Sequence, residues 1–116
     1  MSVTIYGIKN CDTMKKARNW LDDHGIEYAF HDYKKEGLDA DTLDRFLAGI
    51  EWEKLLNRAG TTFRKLPEEE RQNVDGNKAR ELMLAQPSMV KRPVLEKDGG
   101  LTVGFKPDQY EAFFTS

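Results

Sequence analysis

The sequence predicts a mixed α/β domain in which a β-α-β unit and a β-β-α unit flank a stretch built almost entirely of helices. Three observations lead there. Alternating or β-branched apolar runs occur only toward the two ends of the chain, at residues 3–6, 26–33, 94–95 and 101–105. Helical apolar periodicity separates the first two runs and fills residues 38–86. The one cysteine, Cys11, stands where the first strand gives way to the first helix.

Val3, Thr4, Ile5 and Tyr6 form a short apolar strand that stops at Gly7. From Thr13 onward Met14, Ala17 and Leu21 share one helical face with Trp20 beside them, and Gly25 is a C-terminal stop. In the run Ile26 to Tyr33, Tyr28, Phe30 and Asp32 alternate with Glu27, Ala29 and His31. This predicts a second strand, parallel to the first because a helix joins them. Lys34-Lys35-Glu36-Gly37 reads as a charged connector leaving the sheet. Asp39 is placed to cap a helix with Leu43, Phe46, Leu47 and Ile50 on its apolar face. Trp52, Leu55 and Leu56 continue as a short amphipathic piece that Ala59-Gly60-Thr61-Thr62 breaks. Pro67-Glu68-Glu69-Glu70 has the proline and acids of a helix first turn. Asp75 or Asn77 starts another helix, carrying Ala79, Leu82 and Met83, and Pro87 ends it. Val94-Leu95, the turn Lys97-Asp98-Gly99-Gly100, and Leu101, Val103 and Phe105 make a hairpin. Lys106-Pro107-Asp108 then opens a last helix with Tyr110, Phe113 and Phe114. The order, with a cysteine after strand one, is the plan of a single thioredoxin-like domain with residues 37–87 as a helical insertion.

Composition sets outer limits. A chain of 116 residues has room for one domain with one core. Its 39% hydrophobic and 33% charged residues fit a globular protein. A net charge of −2 gives no general attraction to nucleic acid or an anionic membrane, so neither is an expected partner. No apolar run approaches the roughly 20 residues of a membrane span, and the N-terminus shows no secretory pattern. One cysteine excludes a disulfide within the chain and fits a reducing compartment, which predicts a cytoplasmic location. His24, His31 and Cys11 are too widely spaced for a zinc ligand set, so no metal is expected. Met14 occupies the place of the second cysteine of a CxxC motif, so redox chemistry here is monothiol and needs an external thiol.

The chemistry centres on Cys11. The thiolate is the nucleophilic form, and a free cysteine with pKa near ~8.5 is mostly protonated at neutral pH. A helix N-terminus presents unpaired N–H groups and roughly half a positive charge, which favour an anion. Lys9, Lys15 and Lys16 add cations nearby in sequence. Together these features predict a lowered Cys11 pKa. A lone cysteine is often an inert, buried hydrophobe. The polar neighbours Asn10, Asp12 and Thr13 predict a solvent-facing loop instead. Asn10 and Thr13 are candidates either to cap the helix or to hold the thiolate by hydrogen bonds.

The segments Ile5-Tyr6, Cys11-Asp12-Thr13, Leu55-Leu56-Asn57-Arg58, Thr61-Thr62-Phe63-Arg64-Lys65-Leu66 and Arg92-Pro93-Val94 resemble the glutaredoxin-dependent arsenate reductase (ArsC) family. They are most similar to its YffB branch, a sister of the Spx regulators. The resemblance spans essentially the whole chain. It implies that Cys11 is the nucleophile, that Arg92 helps bind an oxyanion or thiol substrate, and that Pro93 is the cis proline of thioredoxin-like folds. Where the family has a further arginine near the Leu55-Leu56 helix, this chain has Asn57 followed by Arg58. Lys106 stands in place of an arginine before the last helix, giving a point charge rather than a bidentate fork. The histidine found shortly before the family's cysteine is absent.

The resulting expectation is a cytosolic, glutathione-dependent thiol reductase with no bound cofactor. Cys11 forms a mixed disulfide or an oxyanion adduct, which external glutathione resolves. Glutathione is the co-substrate, and glutaredoxin is a candidate partner. Arg92, Arg58, Arg64, Lys106 and Lys9 are the candidate anion-binding cations; taken alone, Arg92 is more often an exposed charge than a ligand, and the bland reading of Arg58, Arg64 and Lys106 is a solvated face or a helix-end charge. The rival expectation is a non-catalytic, Spx-like regulator that binds RNA polymerase, and a third is a folded domain with an inert cysteine.

Overall fold

The computed structural model describes residues 2–115. Its centre is a four-stranded sheet in the order β2-β1-β3-β4, formed by β1 (Val3–Gly7), β2 (Ala29–Asp32), β3 (Val94–Lys97) and β4 (Gly100–Val103). β1 pairs in parallel with β2 and antiparallel with β3, and β3 pairs antiparallel with β4. The helix α1 (Asp12–Asp23) joins the parallel pair, and α8 (Pro107–Thr115) closes the chain. Val3, Ile5 and Leu95 project from one face of the sheet. They pack with Met14, Ala17 and Leu21 of α1 and with Tyr110 of α8 into one core cluster. The predicted β-α-β and β-β-α halves and the thioredoxin-like arrangement are therefore present.

Local chemistry explains the boundaries. α1 buries the residues spaced at i, i+3 and i+7, namely Met14, Ala17 and Leu21. It ends at Gly25, whose φ of +66° lets the Ile26 N–H reach back to the Leu21 carbonyl at 2.9 Å. β2 is shorter than the alternation predicts, because Ile26–Tyr28 lie outside it and Tyr33 begins a helical turn, α2 (Tyr33–Glu36). The Asp32 carboxylate accepts the Lys34 N–H at 2.9 Å and turns the backbone out of the strand. The β3–β4 hairpin turns on Asp98 and Gly99, at φ +48° and +88°, as the Asp-Gly signal requires. β4 stops at Val103 instead of reaching Phe105, because Gly104 takes φ +84° and its N–H bonds the Pro93 carbonyl at 2.8 Å.

The chain divides into two compact units, the first running through Glu36 and resuming at Arg92, the second comprising Gly37–Lys91. The second unit holds α3 (Ala40–Gly49), α4 (Trp52–Leu55), α5 (Thr61–Arg64), α6 (Glu68–Arg71), α7 (Gly76–Ala85) and a 3₁₀ turn (Pro87–Met89). Asp39 caps α3 by accepting the Thr42 N–H at 2.8 Å, and Asp75 rather than Asn77 caps α7 through the Lys78 N–H at 2.9 Å. α5 lies over Thr61–Arg64, where the sequence suggests a break. Leu56 and Val90 form an isolated antiparallel bridge, so this unit is not purely helical. Arg80 pairs with Asp44, and Lys78 with Glu70.

Candidate active site

The sheet register gathers four chain segments at one end of the first unit. Gly7 pairs with Asp32, Tyr6 with Val94, and Val94 with Val103. The loop leaving β1 for Cys11, the residue Tyr33 after β2, the Arg92-Pro93 entry to β3 and the Gly104–Lys106 exit from β4 therefore share that end. Sequence separation between Cys11 and Arg92 is large, and only strand pairing brings their segments together.

Cys11 is the N-cap of α1, with extended backbone at φ −141° and ψ 128°. Its carbonyl accepts the Lys15 N–H at 3.0 Å, and no side chain caps the helix. The N–H groups of the first turn have no intrahelical acceptors, and an N-cap side chain is the one that a helix start sets against them. Cys11 is half-buried, with part of its surface against the core cluster. It is neither sealed inside nor fully in solvent. Asn10 is exposed and precedes the cap, and Thr13 is half-buried in the first turn, so neither of these two is the cap.

Met14 at the second CxxC position is fully buried. A Cβ built on Gly7 would overlap the Met14 Sδ, so Gly7 and Met14 interlock beneath the Cys11 loop. Lys9 is exposed and lines a shallow cavity of about 300 Å³ with Arg18, Phe30, Asp32, Lys35 and Glu36.

Arg92 is half-buried, Pro93 is buried, and the bond between them is cis. No ion pair engages Arg92 among the described residues. Lys106 is exposed, and its carbonyl accepts the first α8 bond from Tyr110 N–H at 3.1 Å. Arg58 and Arg64 belong to the Gly37–Lys91 unit. Arg58 is exposed with its guanidinium 5.0 Å from the Trp52 ring centre, and Arg64 is exposed at the end of α5. Asn57 donates its N–H to the Met89 carbonyl at 2.7 Å.

The sequence pattern puts Tyr33 only at the tail of a strand leading into a charged connector. The residue is buried, its hydroxyl has no hydrogen-bond partner, and burial pushes its phenol well above the usual tyrosine range, with Tyr6 adding to the rise and the Arg92 charge opposing it. The available signal was an aromatic set among charges between Asp32 and Glu36.

A sheet in this order, with a lone cysteine capping the first helix and a cis proline entering β3, defines a single-cysteine protein of thioredoxin-like fold. The ArsC family profile matches residues 6–113, and the chain belongs to the ArsC family. An arsenate reductase (ArsC) related protein from Brucella melitensis is 80% identical in solved structure, with a TM-score of 0.80 over 100% of this chain and 97% of that one. A YffB protein is 60% identical, with a TM-score of 0.91 over 96% of this chain and 97% of that one. The global transcriptional regulator Spx of Listeria innocua is 29% identical over 118 residues, covering 96% of this chain and 86% of the relative.

Proposed function

We propose that the chain is a monothiol oxidoreductase that uses glutathione as its co-substrate, with Cys11 as the nucleophile. The supporting observation is the place of Cys11: half-exposed, at the N-cap of α1, where first-turn N–H groups favour a negative sulfur. Membership of the ArsC family supports the same reading. In the reaction, the Cys11 thiolate attacks one sulfur of a mixed disulfide R–S–S–G, forming Cys11–S–S–G and releasing RS⁻. A glutathione thiolate then attacks the glutathione sulfur of that adduct, which yields oxidised glutathione and returns the Cys11 thiolate. An oxyanion such as arsenate is an alternative first partner: the thiolate displaces one arsenate oxygen, which takes up protons from solvent and leaves as water, giving a Cys11–arsenate adduct in place of the disulfide. Glutathione carries two carboxylates. Arg92 and Lys106 leave the same sheet end as the Cys11 loop, which suits them to hold one, and exposed Lys9 to steer it. Asn10 and Thr13 remain candidates for hydrogen bonds to the sulfur.

The test is incubation with oxidised glutathione followed by mass spectrometry. Wild type should gain one glutathionyl group at Cys11, and Cys11→Ser should gain none while keeping its fold. Failure of the wild type to form the adduct at neutral pH would sink the mechanism. The likeness to Spx supports a second reading, a regulator that binds RNA polymerase. Retention of polymerase subunits on the immobilised protein, with no adduct at Cys11, would favour it.

A further inference from the structure

Tyr33 follows β2 directly at the sheet end that gathers the Cys11 loop and Arg92. It is 6% exposed, and its hydroxyl is buried without a hydrogen-bond partner. A buried donor with nothing to bond is less favourable than the same ring without the hydroxyl. Its surroundings show what is missing. Its ring meets His31 edge-on at 5.8 Å, and Tyr6 and Arg92 both act electrostatically on its oxygen. The Tyr6 hydroxyl is engaged, donating to the Glu96 Oε1 at 2.8 Å. Arg92 has only donors to offer and no ion pair among the described residues. Arg92 and Tyr33 thus sit at one sheet end, the Arg92 charge acts on the Tyr33 oxygen, and neither donor has a hydrogen-bond or ion-pair partner among the described residues; an anionic oxygen between them would satisfy both. Tyr110 is the contrast. Its hydroxyl is equally buried and unpaired, yet it sits in the apolar cluster with no cation acting on it.

We propose that the Tyr33 hydroxyl is a ligand-binding group, donating a hydrogen bond to an anionic oxygen that Arg92 also holds. The inference rests on the reading of Cys11 and Arg92 as the reacting site, and it adds a neutral donor to that site's cations. Burial keeps the phenol protonated across the physiological range, so it acts as a donor throughout. The anionic oxygen belongs either to a glutathione carboxylate or to a small oxyanion, and the two share the same chemistry.

The experiment compares wild type, Tyr33→Phe and Tyr110→Phe, each titrated by calorimetry with reduced glutathione and, separately, with inorganic arsenate. Cys11 alkylation by neutral iodoacetamide and thermal unfolding are measured alongside. Tyr33→Phe should weaken binding of one ligand about tenfold, as expected for a lost hydrogen bond to a charged group. Its alkylation rate should be unchanged and its melting temperature equal or higher. Loss confined to glutathione assigns the carboxylate, and loss confined to arsenate assigns the oxyanion. Equal affinity of wild type and Tyr33→Phe for both ligands overturns the inference while leaving the mechanism standing. An equal loss in Tyr110→Phe also overturns it, since that pattern marks general loosening. Wild type that binds neither ligand and forms no adduct defeats the mechanism, and this inference with it.

Discussion

Replacing Tyr110 by phenylalanine should stabilise the protein, and by more at alkaline pH than at neutral. The residue is fully buried, with its ring edge-on to Phe105 at 4.7 Å and to Trp20 at 5.5 Å. Phenylalanine preserves those contacts and removes a hydroxyl that bonds nothing. Relief of an unsatisfied buried polar group is worth about 1 kcal/mol at the lower end of its range. Burial also raises the phenol pKa well above its ordinary value. Unfolded tyrosine loses its proton near pH ~10, where the folded residue still keeps it. The unfolded state then binds fewer protons, so stability falls as pH rises. The contribution is intact below about pH 10 and declines by about 1.4 kcal/mol per pH unit above it. At pH 11 the gap between Tyr110→Phe and wild type should exceed its neutral value by about 1.4 kcal/mol. Urea denaturation of both proteins from pH 7 to 11 measures it, with lysine and other alkaline titrations common to the two. A gap that stays flat with pH, or a variant less stable at pH 7, refutes the reasoning.

Gly7→Ala should destabilise by about 1–3 kcal/mol through the overlap of its new methyl with Met14, and Met14→Ala in the same chain should recover part of that loss. The readout is a double-mutant cycle by denaturation, and strict additivity would contradict the packing. Asp75→Ala should remove the α7 cap and lower stability by about 1 kcal/mol, and Asp39→Ala should do the same at α3, both followed by thermal melts.

The elements that sequence makes legible are those with a long period or a strong local signal. α1 carries its apolar face at regular spacing and a glycine where the backbone must turn left-handed, and both features stand in the structure. The Asp98-Gly99 turn and the Asp39 cap are equally local. What escapes is decided by single contacts. The end of β2 depends on one carboxylate folding back onto the Lys34 N–H, which an alternating pattern does not announce. α5 is a single turn capped by the Gly60 backbone alone, with no side-chain signature. The Leu56–Val90 bridge joins residues far apart in sequence. At the site, Cys11 stood out by composition and position, and Arg92 by resemblance. Tyr33 becomes visible only once burial has removed every partner its hydroxyl had in water.

A buried methionine at position 14, where a CxxC motif has its second thiol, fixes the stoichiometry of any redox exchange at Cys11. A neighbouring thiol would close a ring and expel two small-molecule thiols, making the oxidised fraction depend on the square of their concentration. With that seat filled by a thioether, one disulfide enters and one thiol leaves for each event. Doubling the glutathione pool at constant ratio of its two forms would therefore leave the glutathionylated fraction of this protein where it stood.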